Sequence, residues 1–166
     1  FLWFGTQGGV VRYDGYSSLL GDNRWGFFPG LSAGWLFYQE DFVKNAIPAL
    51  SFGKLRLSYG VNGNASSIGA YTLQGSYGSA QYNGNVGFLI GSLPNPNLKW
   101  ERTRTAEVGV DLGFLNNRVN ANITYYNRLT SDKHAAMSLP STPGFSSITN
   151  NNGSFRNRGL EFELSG

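Results

Sequence analysis

Apolar and polar residues alternate one for one from Thr105 to Phe114, with Ala106, Val108, Val110 and Leu112 set between Thr105, Glu107, Gly109 and Asp111. A repeat of two is the signature of a strand with one apolar and one polar face. The next stretch repeats it: Val119, Ala121, Ile123 and Tyr125 alternate with Asn120, Asn122, Thr124 and Tyr126. The four-residue link Leu115, Asn116, Asn117 and Arg118 predicts a tight hairpin between the two. The same pattern recurs over Gly159–Leu164, where Leu160, Phe162 and Leu164 oppose Glu161 and Glu163, and over Lys54–Val61, where Leu55, Leu57, Tyr59 and Val61 oppose Lys54, Arg56 and Ser58. A fifth strand carries Leu31, Ala33, Trp35 and Phe37, and a sixth, with blurred alternation, runs from Phe4 to Tyr13. No segment carries the period of a long helix. The chain therefore reads as all-β and antiparallel, with about six strands.

The links between these strands differ in length in a regular way. Residues 14–25, 63–102 and 129–154 are long and rich in Gly, Asn, Ser and Tyr, whereas 114–117 is a tight turn and 38–52 is intermediate. Strands near residues 5, 54 and 118 then run toward the long-loop end, and those near 27, 103 and 155 return from it. Outer-membrane barrels segregate long outer loops from short inner turns in this manner, although an antiparallel sandwich also accommodates mixed loop lengths. Aromatic residues fall near both strand ends: Trp25, Phe27, Phe28 and Trp100 at one, Trp35, Phe37, Tyr38, Phe42 and Phe114 at the other. In a membrane, Trp25, Phe27, Trp35, Trp100 and Phe114 would form girdles at the two interfaces, where an amphipathic ring suits the headgroup level.

Composition narrows the choice. Charged residues make up 14% of the 166 residues, well below the roughly 25% of soluble domains, and there are 23 Gly, 12 Phe, 9 Tyr and 4 Trp. With a mean hydropathy of -0.26, no run approaches the ~18 apolar residues of a spanning helix. A transmembrane barrel escapes that test, because its strands dilute lipid-facing residues with polar lumenal ones. The absence of cysteine excludes a disulfide framework and thiolate metal sites. A net charge of +3 comes from scattered Lys and Arg that form no block, so nucleic acid is not an expected partner. Phe1–Phe4 are apolar without a basic flank or cleavage-like site, which reads as a chain that starts inside something larger.

No enzyme emerges from the candidate chemistry. His134 is the single histidine, lies between Ser131 and Ser138, and reads as a solvated loop residue without partners for a metal site or a triad. Glu161 and Glu163 share a strand face and could be read as a glycosidase pair; as charges on the wall of a lumen, balanced by Arg56, Arg156 or Arg158, they need no catalysis. Asp14, Asp22 and Asn23 could offer oxygen ligands to calcium in an outer loop, though ordinary Asx turn chemistry is the readier account of them. If the sheet spans a membrane, period-two alternation assigns Arg56, Glu107, Asp111, Glu161 and Glu163 to the lumen. The same alternation turns Val108, Val110, Leu112, Ile123, Leu160 and Phe162 toward lipid. The rival is a secreted β-sandwich that binds carbohydrate on Trp and Tyr platforms. Tyr71, Tyr77, Tyr82 and Phe88 in the longest link suit sugars and peptides alike.

Five segments, in order, resemble one family. DGYSSLLGDNRWGFFPGLSAGW at 14–35 is similar to the stretch of SusC/RagA-type TonB-dependent transporters that ends in a Gly-Trp pair, and LRLSYGVNGN at 55–64 to a strand and loop start of that family. PNPNLKWE at 94–101, GFLNNRV at 113–119 and SFRNRGLEFEL at 154–164 resemble its lead-in, its inner turn and a later strand. FGTQGGVV in the opening strand and the link Ala65–Leu93 depart from the pattern. The resemblance implies an active importer of oligosaccharides or peptides in a bacterial outer membrane, energised through TonB, with a plug inside a barrel of roughly 22 strands. It also implies a SusD-like surface lipoprotein as partner, docked on the long links. Nothing in this chain reads as a plug, a TonB box or a carboxypeptidase-like leading domain. Six strands cannot stand alone in hydrocarbon, because the sheet edges would leave backbone groups unpaired. The expectation is one barrel domain's C-terminal region, with the remainder of the transporter chain, membrane lipid and TonB as further partners.

Overall fold

The computed structural model describes residues 4–140, 142 and 144–166, with side chains from residue 8 onward; Phe1–Trp3, part of the apolar start noted above, lie outside the described residues. Six strands form one antiparallel sheet in simple up-and-down order: β1 (Phe4–Gly15), β2 (Trp25–Trp35), β3 (Leu50–Asn64), β6 (Glu101–Phe114), β7 (Val119–Ser138) and β8 (Ser147–Ser165). A separate hairpin, β4 (Ser76–Tyr82) with β5 (Asn85–Ser92), stands inside the long connection from β3 to β6. The sheet does not close on itself in this chain, and β1 and β8 are its two edges.

At the short-turn end, β6 and β7 pair without a register shift down to Phe114 opposite Val119. Leu115, Asn116 and Asn117 then take φ of 54°, 58° and 62°, a left-handed run that Asn tolerates better than other residues with a Cβ. Asn116 donates its backbone N–H to Ser51 Oγ at 2.7 Å, which ties the turn to β3. The intermediate link folds into a single-turn 3-10 segment, Phe37–Gln39, and one short helix, α1 (Asp41–Ala46), whose Val43 is buried. No helix among the described residues is long and apolar enough to cross a membrane.

The long-loop end departs from the sequence reading in two places. The segment 129–154, read as one long loop, is mostly strand: β7 runs on to Ser138 and β8 begins at Ser147, with a bulge between Thr130 and Lys133. These extensions lack an apolar alternation because polar loop contacts and solvent meet them, with His134 and Thr149 engaged by the 63–102 segment, so the period-two signal disappears while the ladder persists. Within 63–102, Asn83 and Gly84 turn the β4–β5 hairpin with φ of 49° and 78°. Asn-Gly between two runs of strand formers was the local signal for it, diluted by the surrounding Gly and Ser.

One face of the six-stranded sheet is apolar and lies open. Cross-strand rows read Leu57, Val108, Tyr125, Leu160 and, one step nearer the short turns, Leu55, Val110, Ile123, Phe162. Leu31, Leu160 and Phe162 on this face are 66%, 75% and 67% exposed. The buried core sits elsewhere, among the loops: Leu19, Ala65, Ile68, Leu73 and Leu98 cluster with Tyr16 and Trp100 packed against them. A soluble sandwich must cover its apolar sheet face with a second layer. Among the described residues no second sheet pairs with or extends this one beyond the two-stranded hairpin in the β3–β6 connection.

Candidate functional site

The opposite face is polar and built around Arg56. Its guanidinium donates to both carboxylate oxygens of Asp111, from Nε at 2.8 Å and Nη2 at 3.0 Å, and Nη2 also reaches Asn122 Oδ1 at 3.1 Å and Thr124 Oγ1 at 3.3 Å. Arg56 stands on β3 and Asn122 and Thr124 on β7, so the side chain must cross β6. It crosses at Gly109, where an added Cβ would lie 2.8 Å from Nη2. Tyr126 likewise lies over Gly159 of β8, where a Cβ would meet its hydroxyl at 2.8 Å. Gly109 and Gly159 are thus crossing points for long polar side chains on this face. A trough of about 690 Å³ runs beside them, lined by Arg56, Glu107, Tyr126, Arg128 and Glu161 among others.

The crossing can be tested directly. Gly109→Val is expected to destabilise the assembled full-length protein by about 1–2 kcal/mol, as Arg56 loses charge-assisted bonds to β7. In an Arg56→Ala background the same substitution should cost much less. Equal costs in both backgrounds, read from thermal midpoints in detergent, would show that Gly109 serves another purpose.

A second polar cluster straps the longest loop to the ends of β6–β8. His134, expected in solvent, is on β7 with its side chain only 3% exposed. Its Nε2 lies 2.7 Å from the Lys99 carbonyl, an oxygen that can only accept, so Nε2 carries a proton. Nδ1 lies 2.6 Å from Ser67 Oγ and 3.4 Å from Glu101 Oε1. Glu101, 7% exposed, also accepts the His134 backbone N–H at 2.8 Å and Asn64 Nδ2 at 3.0 Å. Asn151 accepts the Lys99 N–H and donates to the Lys99 and Asp132 carbonyls. The cluster reads as a structural clasp, since each polar group of the histidine ring and of Glu101 is already engaged within the protein. Ser67 and Asn151 carried no signal in the sequence, because their partners lie 67 and 52 residues away.

The residues singled out from sequence fall as follows. Arg56, Glu107, Asp111, Glu161 and Glu163 share the polar face by register, and Val108, Val110, Leu112, Ile123, Leu160 and Phe162 share the apolar one. Arg56 pairs with Asp111, and Arg156 and Arg158 fall in phase with Leu160 and Phe162 by register while bordering the same trough as Glu161. Trp25 and Phe27 stand half exposed on the apolar face, with Trp25 stacked on Tyr13 at 5.3 Å. Trp35 donates Nε1 to Glu40 at 3.2 Å, and Phe114 pairs with Val119. Trp100 does not join them: it packs edge-on against Tyr16 and Phe28 in the loop core and donates Nε1 to the Arg24 carbonyl. Phe28, also read as interfacial, is 3% exposed in the same packing. Local sequence showed an aromatic near a strand end in each case; only the loop fold decides which ring turns inward. Of the calcium candidates, Asp14 is ion-paired with Arg12 at 2.7 Å and Asn23 donates to the Asn97 carbonyl.

A family model described as TonB dependent receptor-like β-barrel matches residues 9–166. The chain belongs to this family. It is 39% identical to the TonB-dependent receptor SusC of Bacteroides thetaiotaomicron over 93% of its own length and 16% of that protein's, and 36% identical to the TonB-dependent receptor P26 of Formosa agariphila with the same shares covered. Among solved structures, a chain of the RagAB peptide importer in its closed-closed state superposes with a TM-score of 0.83 at 30% identity, over 95% of this chain and 17% of that one. The siderophore receptor PirA of Pseudomonas aeruginosa shares the fold, with a TM-score of 0.59 at 18% identity. The chain thus spans about a sixth of the length of SusC, P26 and the RagAB chain, and the SusC/RagA resemblance seen in its motifs holds across the sheet.

Proposed function

We propose that this chain forms part of the barrel wall of an outer-membrane importer for oligosaccharides or peptides, driven through TonB by a plug carried elsewhere in the same polypeptide. One observation carries the reading. A single sheet exposes its apolar face while its polar face holds an ordered Arg56–Asp111–Asn122–Thr124 ladder, an arrangement suited to hydrocarbon on the first face and water on the second. The apolar rows would then meet lipid, and the trough would belong to the lumen through which a hydroxyl- or amide-rich substrate passes. The likeness to SusC and to the RagAB peptide importer supports import as the activity. Cell fractionation tests this: the parent protein should partition with outer membranes, require detergent for extraction, and support accumulation of labelled oligosaccharide or peptide that a protonophore abolishes. A soluble, detergent-free parent would overturn it.

The same reading places a SusD-like lipoprotein over the loop end, and the β4–β5 hairpin is the surface it would meet. Tyr77, Val86, Phe88 and Ile90 share one face of that hairpin, each between 50% and 77% exposed. An exposed apolar stripe of this kind in a neutral, amide-rich loop suits a protein interface. Phe88→Asp is expected to weaken co-purification of the lipoprotein at least tenfold while leaving barrel assembly intact. Unchanged recovery would move the docking surface elsewhere.

A further inference from the structure

On the apolar face the residues change character toward the long-loop end. Beyond the row Leu57, Val108, Tyr125, Leu160 comes Tyr59, Ala106, Asn127, Arg158, and beyond that Val61, Arg104, Leu129, Arg156. Arg102, paired with Ser131, follows on the same strand and face as Arg104. These rows contain no acidic residue. Among the described residues none of the four arginines is in an ion pair, whereas Arg12, Arg56 and Lys99 all are. Arg104, Arg156 and Arg158 are exposed. Strand spacing puts Arg104 about 10 Å from Arg156 across β7, and Arg156 about 7 Å from Arg158 along β8. Both residues of β8 also border the polar trough at the sheet edge, but their register is that of Leu160 and Phe162.

We propose that Arg104, Arg156 and Arg158, with Arg102 beyond them, form a seat for the phosphate groups of a lipid headgroup in the leaflet on the long-loop side. Three points select this occupant. The seat directly adjoins the apolar rows, so a ligand whose tails lie along Leu160 and Tyr125 brings its headgroup to it. Arginines without an ion pair, in rows that hold no acidic residue although Glu107 and Glu161 line the trough beside them, are complementary to an anion, and the planar guanidinium fork matches phosphate oxygens. Arginine at this level keeps its stem on the apolar surface while its head reaches the interface. The inference rests on the membrane reading above.

The test uses the full-length transporter in neutral detergent, titrated with lipid A, a bisphosphorylated glucosamine lipid, with its dephosphorylated form, and with phosphatidylcholine. Retention read by native mass spectrometry should favour the bisphosphorylated lipid. A variant carrying Arg104→Gln, Arg156→Gln and Arg158→Gln should bind it about a hundredfold more weakly, since each basic residue near an anionic lipid surface contributes roughly a factor of five. Removing the same charge at the short-turn end, with Lys44→Gln, Lys54→Gln and Arg118→Gln, should leave that affinity unchanged. Equal affinity in the arginine variant, equal retention of the dephosphorylated lipid, or displacement by micromolar inorganic phosphate would overturn the lipid seat. Should the arginine variant not assemble, the wild-type comparison of phosphorylated and dephosphorylated lipid decides alone. A parent soluble without detergent would instead refute the membrane reading; a heat-modifiable barrel indifferent to phosphate refutes only this inference.

Discussion

Val110→Arg is expected to cost the full-length barrel about 2–4 kcal/mol near the bilayer midplane, less toward an interface. Val110 stands in the row Leu55, Val110, Ile123, Phe162, so the new charge would face the surface that carries no polar partner. Heat-modifiable gel mobility after folding into lipid measures the loss. Its neighbour Asp111 points the other way and provides the contrast. From alternation alone Asp111→Asn should be nearly silent, but the bidentate Arg56 pair changes that expectation. The pair is partly exposed, with side-chain accessibilities of 39% and 26%, and Arg56 keeps Asn122 and Thr124. Screening by water therefore limits the cost to about 1 kcal/mol. A larger penalty for Asp111→Asn than for Val110→Arg would mean that the two faces are assigned the wrong way round, as a one-residue register slip produces.

Leu98→Ala should produce the second large effect, about 2–5 kcal/mol, because Leu98 is fully buried and its removal leaves a cavity among Leu19, Ala65, Ile68 and Leu73. The cost should stay local. That cluster lies among the loops and is separated from the sheet's exposed apolar rows, so the loops can open while the ladder of β6 and β7 holds. Hydrogen exchange is expected to accelerate over residues 65–75 and 94–98 with strand protection retained over 119–130. Lipoprotein docking through the β4–β5 hairpin should weaken in parallel, since the hairpin emerges from the loosened loop. Simultaneous loss of strand protection would show that the loop core and the sheet form one cooperative unit.

Alternation by itself determined the strands that carry an apolar face: the pattern in 105–114, 119–126, 54–61 and 159–164 located the sheet and put every residue on its observed face. It could do so because a strand with one polar and one apolar face must repeat every two residues. Where β7 and β8 extend past the apolar rows the requirement lapses, and Ala135–Ser138 and Ser147–Gly153 read as loop although their backbones pair. The tight turn at 115–118 was legible from its Asn residues, and the loop hairpin from Asn83-Gly84 once its flanking runs are seen as strands. Tertiary structure alone decided the long-range partners. That Arg56 crosses Gly109 to Asn122 and Thr124, that His134 is sealed by Ser67, Lys99 and Glu101, and that Trp100 turns into the loop core all join residues tens of positions apart. Local propensity constrains a residue's own dihedrals and face, whereas these contacts depend on which strands become neighbours and how far each side chain reaches across them.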